Sequence, residues 1–353
     1  MIAAAGDPDF NIILKGQGGD RSSFGEDLCL LSLDGGGVRG LSSLFILKRV
    51  MEAIDPKNPP KPCDYFDMIC GTSTGGLIAL MLGRMGLSVD EAIAAYDELS
   101  PRIFSKVHHR LTLKGKVQGR FNHEALEAGV KTLLINKGFD ADALLKDSLE
   151  QGACKTFVCA TSKQTGETVV LSSYYNERRG ADLLNVAKIW QVARATSAAS
   201  SFFEPITFGD EGFVDGATGA NNPISQLWAE AKDIWDEDGA NFEEKVKCLV
   251  SIGTGMPSLV PFTDKLAQLG KALIAIATDT EEQAGRFQKD HSNLYQTNRA
   301  YRFNVLRGLE NVGLEEKSKW NEIKAATRAY IQSEDVFVKM KRCGISLRER
   351  ECT

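Results

Sequence analysis

Ser73 lies in a pattern that is typical of a serine nucleophile, Gly71-Thr72-Ser73-Thr74-Gly75. An apolar run at 65–70 precedes the pattern, and a run of small and aliphatic residues at 76–82 follows it, which predicts a strand, a sharp turn and a helix. The glycines on both sides of the serine allow the backbone to bend tightly. Such a turn also places the serine at a helix N-terminus, where free N–H groups favour negative charge. The pattern therefore predicts nucleophilic catalysis at Ser73.

A second glycine-rich loop, Asp34-Gly35-Gly36-Gly37-Val38-Arg39-Gly40, follows an apolar run at 28–33 and precedes a helical pattern. Successive glycines leave room for backbone N–H groups to converge on one point, and the start of a helix adds positive potential there. Arg39 would add charge at the same point or hold a phosphate. One function of this loop is therefore an oxyanion hole beside Ser73.

The same loop also fits a different function, because Gly35, Gly37 and Gly40 have the spacing of a dinucleotide-binding fingerprint. Asp55 lies twenty residues after Gly35, at the separation expected for an acid that binds ribose. That acid should end a second strand, whereas Asp55 directly follows a helical pattern and precedes a proline-rich loop. The fingerprint also gives no reason for a serine turn on the next strand. Dinucleotide binding is therefore the less favoured alternative.

A serine nucleophile needs a base within hydrogen-bond distance. Asp215 is a good candidate, because it ends a short apolar segment and is followed by a glycine in a turn, and burial would raise its pKa towards neutrality. The alternative for Asp215 is an aspartate that only bonds its own turn. Histidine is the more usual base, and His291 alone lies late enough in the chain for the order serine, acid, histidine, although it sits in a polar stretch. The other histidines are even less well placed, in a basic stretch or at a helix start: His108, His109 and His123.

The composition is that of a globular protein, with 43% hydrophobic and 25% charged residues. The net charge of −5 argues against non-specific nucleic-acid binding. The sequence shows no signal peptide and no apolar run long enough to span a bilayer. Its eight cysteines form no C-x-x-C pair and have no histidines at zinc spacing. We therefore expect a reduced, cytoplasmic protein without a metal or cofactor, whose buried cysteines are Cys29, Cys70, Cys159 and Cys248.

The elements that must position these residues follow from hydrophobic periodicity. The first eighty residues predict a parallel β–α–β–α unit with both functional loops at the carboxyl ends of strands, where open α/β sheets bind ligands. A capping box at Ser88 and Glu91 opens a helix that runs to about Leu99. Further patterns predict helices over 121–149 and 187–200, a hairpin of strands at 156–161 and 168–172, a buried strand at 246–252, and a helical face marked by Leu266, Leu269, Leu273 and Ile276.

No linker separates the functional loops, so we expect one domain. Residues 1–26 are expected to be irregular, 27–260 to form the catalytic core, and 261–353 to form a mainly helical extension packed on the same domain. The basic stretch at 102–120 predicts either a solvated loop, which is favoured, or a surface for anionic lipid headgroups. The oligomeric state has no signal in the sequence.

Three motifs, in this order along the chain, resemble those of the patatin-like phospholipase family: Asp34 to Gly40, Gly71 to Gly75, and Asp215-Gly216-Ala217. The resemblance covers about 28–255 and looks closest to fungal intracellular members. Three motifs in the same order are far more specific than any one of them. Further motifs agree with it, namely Ala195-Thr196-Ser197-Ala198-Ala199, Phe202-Phe203-Glu204-Pro205, Asn221-Asn222-Pro223 and Ser251-Ile252-Gly253-Thr254-Gly255.

This resemblance implies a three-layer α/β/α fold around a mainly parallel sheet. It implies a Ser73–Asp215 dyad without a catalytic histidine, which suits the shortage of histidines. It implies an oxyanion hole from the N–H groups of Gly36 and Gly37, in a loop shaped by Gly35 and Arg39. The implied activity is calcium-independent hydrolysis of phospholipids or other acyl lipids, with peripheral membrane contact. Triacylglycerol lipase and acyltransferase activities occur in the same family, so the substrate stays open.

Overall fold

The structure is a computed structural model that describes residues 27–103, 122–146, 153–199, 203–236, 239, 241–256, 280–310, 312–313 and 316–348. Three of the sequence predictions lie wholly or largely outside these residues: the irregular segment 1–26, the basic stretch 102–120 with His108 and His109, and the helical face at 266–276.

One sheet organises the described part of the chain. Hydrogen-bonded neighbours in the sheet follow the path β5-β6-β3-β2-β1-β7-β8, in which β6 and β2 each pair with β3, and β4 also pairs with β3 outside this path. The parallel pairs are β1–β2, β1–β7, β2–β3 and β7–β8. The antiparallel pairs are β3–β4, β3–β6 and β5–β6. The strands are β1 (Leu28–Leu33), β2 (Met68–Thr72), β3 (Lys155–Ser162), β4 (Thr168–Ser172), β5 (Ile206–Phe208), β6 (Glu211–Asp215), β7 (Val246–Ile252) and β8 (Ala300–Phe303).

Helices cover both faces of the sheet. The helices of the described residues are α1 (Gly40–Ile54), α2 (Pro62–Tyr65), α3 (Thr74–Ala79), α4 (Val89–Ile103), α5 (His123–Asn136), α6 (Asp182–Val186), α7 (Ile189–Thr196), α8 (Ala217–Ala220), α9 (Ile224–Trp235), α10 (Phe242–Lys245), α11 (Thr280–Asp290), α12 (Ser292–Gln296), α13 (Trp320–Gln332) and α14 (Glu334–Arg348). A π-helical turn, Leu80–Arg84, continues α3, and two 3₁₀ turns lie at Gly37–Arg39 and Lys317–Lys319.

Strand β1 shows why the sheet needs two helical layers. Its residues are all buried, and successive side chains enter different cores. Leu31 and Leu33 join the core that contains α1, α4, α5, α7, α13 and α14, whereas Leu28 and Leu30 join the core that contains α9, α11 and α12. A continuous apolar run is the pattern of a strand buried on both faces. The predicted three-layer α/β/α fold is confirmed.

Most predicted elements are present, with two differences in length. The hairpin is formed by β3 and β4, and the capping box is formed by reciprocal bonds between Ser88 and Glu91. The helix predicted over 121–149 ends at Asn136, because Gly138 adopts a left-handed φ of 81° and the Lys137 N–H closes the last turn on Leu133 O. The helix predicted over 187–200 is shorter than expected. Within the described residues of that stretch, only Ile189–Thr196, which is α7, is helical.

The segment predicted as a helical extension supplies a strand as well as helices. Strand β8 pairs with β7 in register, and α13 and α14 pack on α1. The contact with α1 is close, since Gly344 lies directly against Ala53 and the Thr327 hydroxyl bonds to Ser42. No helix in the described ranges is both long and apolar enough to cross a membrane. The division into core and extension stays a prediction.

Candidate active site

Strand β3 brings Ser73 and Asp215 together. Its residue Cys159 pairs with Thr72, the last residue of β2, and its next residue, Ala160, pairs with Asp215, the last residue of β6. Strand β4 occupies the other edge of β3 at the same two residues. Strands β2 and β6 therefore meet end to end along one edge of β3, and Ser73, which follows Thr72, lies beside Asp215.

Ser73 occupies a strained turn. Its φ of 54° and ψ of −123° fall outside the regions that L-residues favour, and it precedes α3 directly. The turn is possible because glycines border it: a Cβ on Gly71 would lie 2.1 Å from Gly75 O, and a Cβ on Gly75 would lie 2.2 Å from Leu33 O. The Ser73 N–H donates to Thr196 Oγ1 at 2.8 Å, which ties the turn to the end of α7. The strain is therefore held by packing on both sides.

Asp215 is a buried carboxylate with one free oxygen. Its Oδ1 accepts a bond from the Ala217 N–H at 2.8 Å, whereas its Oδ2 is buried without a hydrogen-bond partner. Burial raises the pKa of Asp215 to about 7, and the nearby Ser73 hydroxyl and the Ala217 N–H offset only part of that rise. The Ser73 hydroxyl thus lies close enough to affect the carboxylate, without completing a hydrogen bond to Oδ2. This geometry suits a base that accepts the serine proton.

The glycine loop after β1 lies against Ser73. A Cβ on Gly35 would be 3.1 Å from Ser73 Cβ, so the two backbones approach closely. The Gly35 N–H is already used, because it donates to Asn221 O at 2.9 Å. The N–H groups of Gly36 and Gly37 have no acceptor in the described part of the chain. Of the predicted oxyanion-hole glycines, these two have donors to offer, and Gly35 shapes the loop.

Arg39 is a buried cation at the same loop. Its side chain is 4% exposed, and burial lowers its pKa to about 10. Its backbone N–H donates to Gly36 O at 3.2 Å, and its Nε lies 3.5 Å from the same oxygen. No acidic side chain among the described residues pairs with it. Arg39 therefore holds the loop and leaves positive charge near the open N–H groups.

An ion pair that the sequence did not predict holds Asp34, the first residue of the glycine-rich loop. Arg302 of β8 donates from Nη1 to Asp34 Oδ1 at 3.0 Å and from Nη2 to Asp34 Oδ2 at 2.6 Å. Its Nε also donates to Glu281 Oε1 at 3.0 Å. Burial raises the pKa of Asp34 to about 6, although Arg302 acts in the opposite direction. Because 268 positions separate the two partners, no local sequence pattern could have identified this pair.

The alternative candidates are engaged elsewhere. Asp55 lies at the end of α1, where its Oδ1 accepts bonds from the N–H groups of Lys57 and Asn58. His123 Nδ1 lies 3.3 Å from Glu127 Oε1 at the start of α5. His291 packs at a tilt against aromatic rings, with its centroid 4.2 Å from that of Trp228. Neither histidine has a described contact with Ser73 or Asp215. The ends of β2 and β6 thus bring Asp215 beside Ser73. Within the described residues, neither of these two histidines contacts Ser73.

Comparisons with known proteins agree with this architecture. The family model described as "Patatin-like phospholipase" matches residues 31–228, more than half of the chain. Calcium-independent phospholipase A2-gamma of Mus musculus is 29% identical over 93% of this chain and 41% of its own length. Phospholipase A I of Arabidopsis thaliana is 26% identical over 87% of this chain and 27% of its own length. Patatin-like protein 4 of Arabidopsis thaliana is 31% identical over 66% of this chain and 60% of its own length.

These matches cover most of this chain but only part of the length of each relative. The chain spans 41% of the length of the phospholipase A2-gamma relative, so the match concerns less than half of that protein. The relatives named above come from an animal and a plant, and the resemblance to fungal members stays a prediction. The loop after β1, the Ser73 turn and Asp215 nevertheless all lie within the residues that the family model matches. The chain belongs to the patatin-like phospholipase family.

Proposed function

We propose that this chain is a calcium-independent lipid acyl hydrolase of the phospholipase A or lysophospholipase type. It cleaves carboxylic esters through Ser73 and Asp215, with an acyl-enzyme intermediate. The observation that carries the proposal is the meeting of β2 and β6, which places the Ser73 hydroxyl beside a buried carboxylate with a free oxygen. Family membership supports the lipid substrate, and the name of the phospholipase A2-gamma relative supports calcium independence.

The reaction follows from the positions of these groups. Asp215 Oδ2 takes the proton of Ser73 as Oγ attacks the acyl carbonyl. The negative charge that develops on the carbonyl oxygen is held by the N–H groups of Gly36 and Gly37, each worth about 3 kcal/mol when well aimed. The carbon–oxygen ester bond then breaks, and the alcohol or lysolipid leaves with the proton from Asp215. Water, deprotonated by Asp215, then attacks the acyl-enzyme. The bond between the acyl carbon and Ser73 Oγ breaks, and the proton returns from Asp215 to Oγ as the fatty acid leaves.

Two further features support this assignment. Cys70, Cys159, Cys248 and Cys343 are buried and form no disulfide, which agrees with the reducing cytoplasm that we propose for the protein. Asp215 has the environment of a base rather than of a turn aspartate alone, because only one of its oxygens bonds to its own turn. Membrane contact in this proposal is peripheral and serves to reach the lipid.

The test is acyl release by wild type, Ser73→Ala and Asp215→Asn. Substrates are phosphatidylcholine vesicles, lysophosphatidylcholine and a triacylglycerol emulsion, each with and without EDTA. We expect both variants to lose at least about 10³-fold in kcat, because nucleophile and base act as a unit. EDTA should leave the wild-type rate unchanged.

Matched controls are Ser346→Ala and Asp233→Asn, which change the same residue types on α14 and α9. Ser346 bonds to Tyr301, and Asp233 pairs with the exposed Arg178. Both controls should keep wild-type turnover. Equal turnover in wild type and Ser73→Ala would refute the proposed nucleophile, and inhibition by EDTA would refute calcium independence.

A further inference from the structure

Thr254 contacts the glycine loop from the side of β7. Its hydroxyl donates to Gly35 O at 3.0 Å, and its side chain is 3% exposed. The contact is tight, since a Cβ on Gly36 would lie 2.0 Å from Thr254 Oγ1. Thr254 lies in the motif Ser251 to Gly255, but a lone threonine in a glycine turn carries no chemical signature that would predict its role.

The bond to Gly35 O fixes the direction of a different group. Gly35 C=O and Gly36 N–H belong to one peptide unit, and in a trans peptide the two point in opposite directions. The described residues contain no cis peptide bond. When Thr254 holds the carbonyl of this unit, the Gly36 N–H must therefore face away from Thr254. That N–H has no acceptor in the described part of the chain, and its loop borders Ser73.

The neighbouring peptide unit is held by the backbone instead. Gly36 O accepts a bond from the Arg39 N–H at 3.2 Å, which fixes the opposite direction for the Gly37 N–H. Because this bond joins two backbone groups, a substitution of the Thr254 side chain does not remove it. The Gly35–Gly36 unit has no such backbone donor among the described residues, so its orientation depends on the Thr254 hydroxyl.

Thr254 is itself held firmly on both sides. The Gly253 N–H donates to Phe303 O at 2.8 Å, and Gly253 O accepts a bond from Ser43 Oγ at 2.8 Å. On the other side, the Gly255 N–H donates to Asn304 Oδ1 at 2.6 Å. Bonds from β8 and α1 thus fix the backbone around Thr254, so its hydroxyl is a rigid reference for the glycine loop.

We propose that Thr254 is a positioning residue that aims the Gly36 N–H at the oxyanion. The inference rests on the proposed hydrolase function. The Thr254 hydroxyl touches neither the nucleophile nor the substrate and acts only through the peptide unit that it orients. Its loss lets this unit turn, and the oxyanion loses one aimed donor at the moment when charge develops.

The test compares Thr254→Val, which removes the hydroxyl, with Thr254→Ser, which keeps it. We expect Thr254→Val to lower kcat by roughly 10- to 100-fold with KM little changed, because the lost interaction forms in the transition state. Labelling of Ser73 by a fluorophosphonate should slow in parallel, because its phosphoryl oxygen occupies the same donors. The pH midpoint of kcat should stay at the wild-type value, and Thr254→Ser should recover most of the rate.

Thr327→Val is the matched control, since Thr327 is also buried and hydrogen-bonded but lies on α13. If Thr254→Val matches Thr327→Val in kcat while Ser73→Ala is inactive, the proposal for Thr254 is wrong and the proposed function stands. If the kcat of Thr254→Ser is as low as that of Thr254→Val, loss of the hydroxyl does not explain the lower rate, and the proposal is again wrong. Full turnover by Ser73→Ala would instead remove the proposed function itself. Should Thr254→Val fail to fold, Thr254→Ala takes its place with the same expectations.

Discussion

Asp215 sets the pH range in which the proposed reaction runs. Burial raises its pKa to about 7 in the free protein. A base must be deprotonated to act, so kcat/KM should fall on the acid side of neutrality and rise to a plateau above it, with a midpoint near 7. The measurement is kcat/KM for a soluble acyl ester from pH 5 to 9. A rate that stays constant down to pH 5 would show that no group with this pKa serves as the base.

Residue types and short spacings account for the part of the site that the sequence revealed. Ser73 and the glycines carry their signals within a few positions of the chain, and Asp215 follows an apolar segment that ends in a turn. Thr254 and Arg302 carry no such signal, because their roles depend on partners far away in sequence: Gly35 and Asp34. Side chains that position others are therefore visible only once the strands are assembled.

At the scale of elements, local periodicity predicted the parallel unit and the hairpin well. It was wrong about the residues that follow α5, where a local helix-ending signal and tertiary contacts together decide the conformation. There a glycine in a left-handed conformation ends the helix, and the Arg84 side chain bonds to the carbonyls of Leu144 and Leu145. Strand β8 was also missed. It has only four residues and, among the described strands, pairs with β7 alone, so its stability comes from its neighbour rather than from its own sequence.

Strand β8 connects to the site through the pair of Arg302 and Asp34. Replacing Arg302 by Gln leaves Asp34 buried without the cation that lowers its pKa. That pKa then rises further, and a raised pKa in the folded state makes stability fall as pH rises. We expect Arg302→Gln to lower the free energy of unfolding by roughly 3–5 kcal/mol at pH 8 and by less at pH 5. The measurement is urea denaturation at both pH values.

The control for this prediction is Arg178→Gln, which breaks the pair with Asp233 on the surface. The Arg178 side chain is 75% exposed, so this loss should be under about 1 kcal/mol and similar at both pH values. Equal losses for Arg178→Gln and Arg302→Gln would mean that the buried pair does not stabilise the loop.

At the scale of the whole molecule, one sheet joins parts of the chain that no local pattern connects. Strand β1 lies between β2, which follows it closely, and β7, which lies more than two hundred residues later. The family-model match ends at residue 228, before β7 begins. The sequence motifs predicted the fold class because each marks the carboxyl end of a strand, whereas the order of those strands depends on long-range burial. The site accordingly depends on segments beyond the matched range.

This dependence leads to a prediction about the boundary at residue 260. A chain that ends there lacks β8, α13 and α14, so β7 becomes an edge strand and α1 loses the side chains that cover it, which include Met340, Cys343 and Leu347. We expect this shortened chain to show no cooperative urea transition, since it exposes apolar core surface and leaves Asp34 buried without Arg302. Circular dichroism and limited proteolysis of the shortened and full chains measure this. A cooperative transition at the full chain's midpoint would instead make 261–353 a dispensable addition to a self-sufficient core.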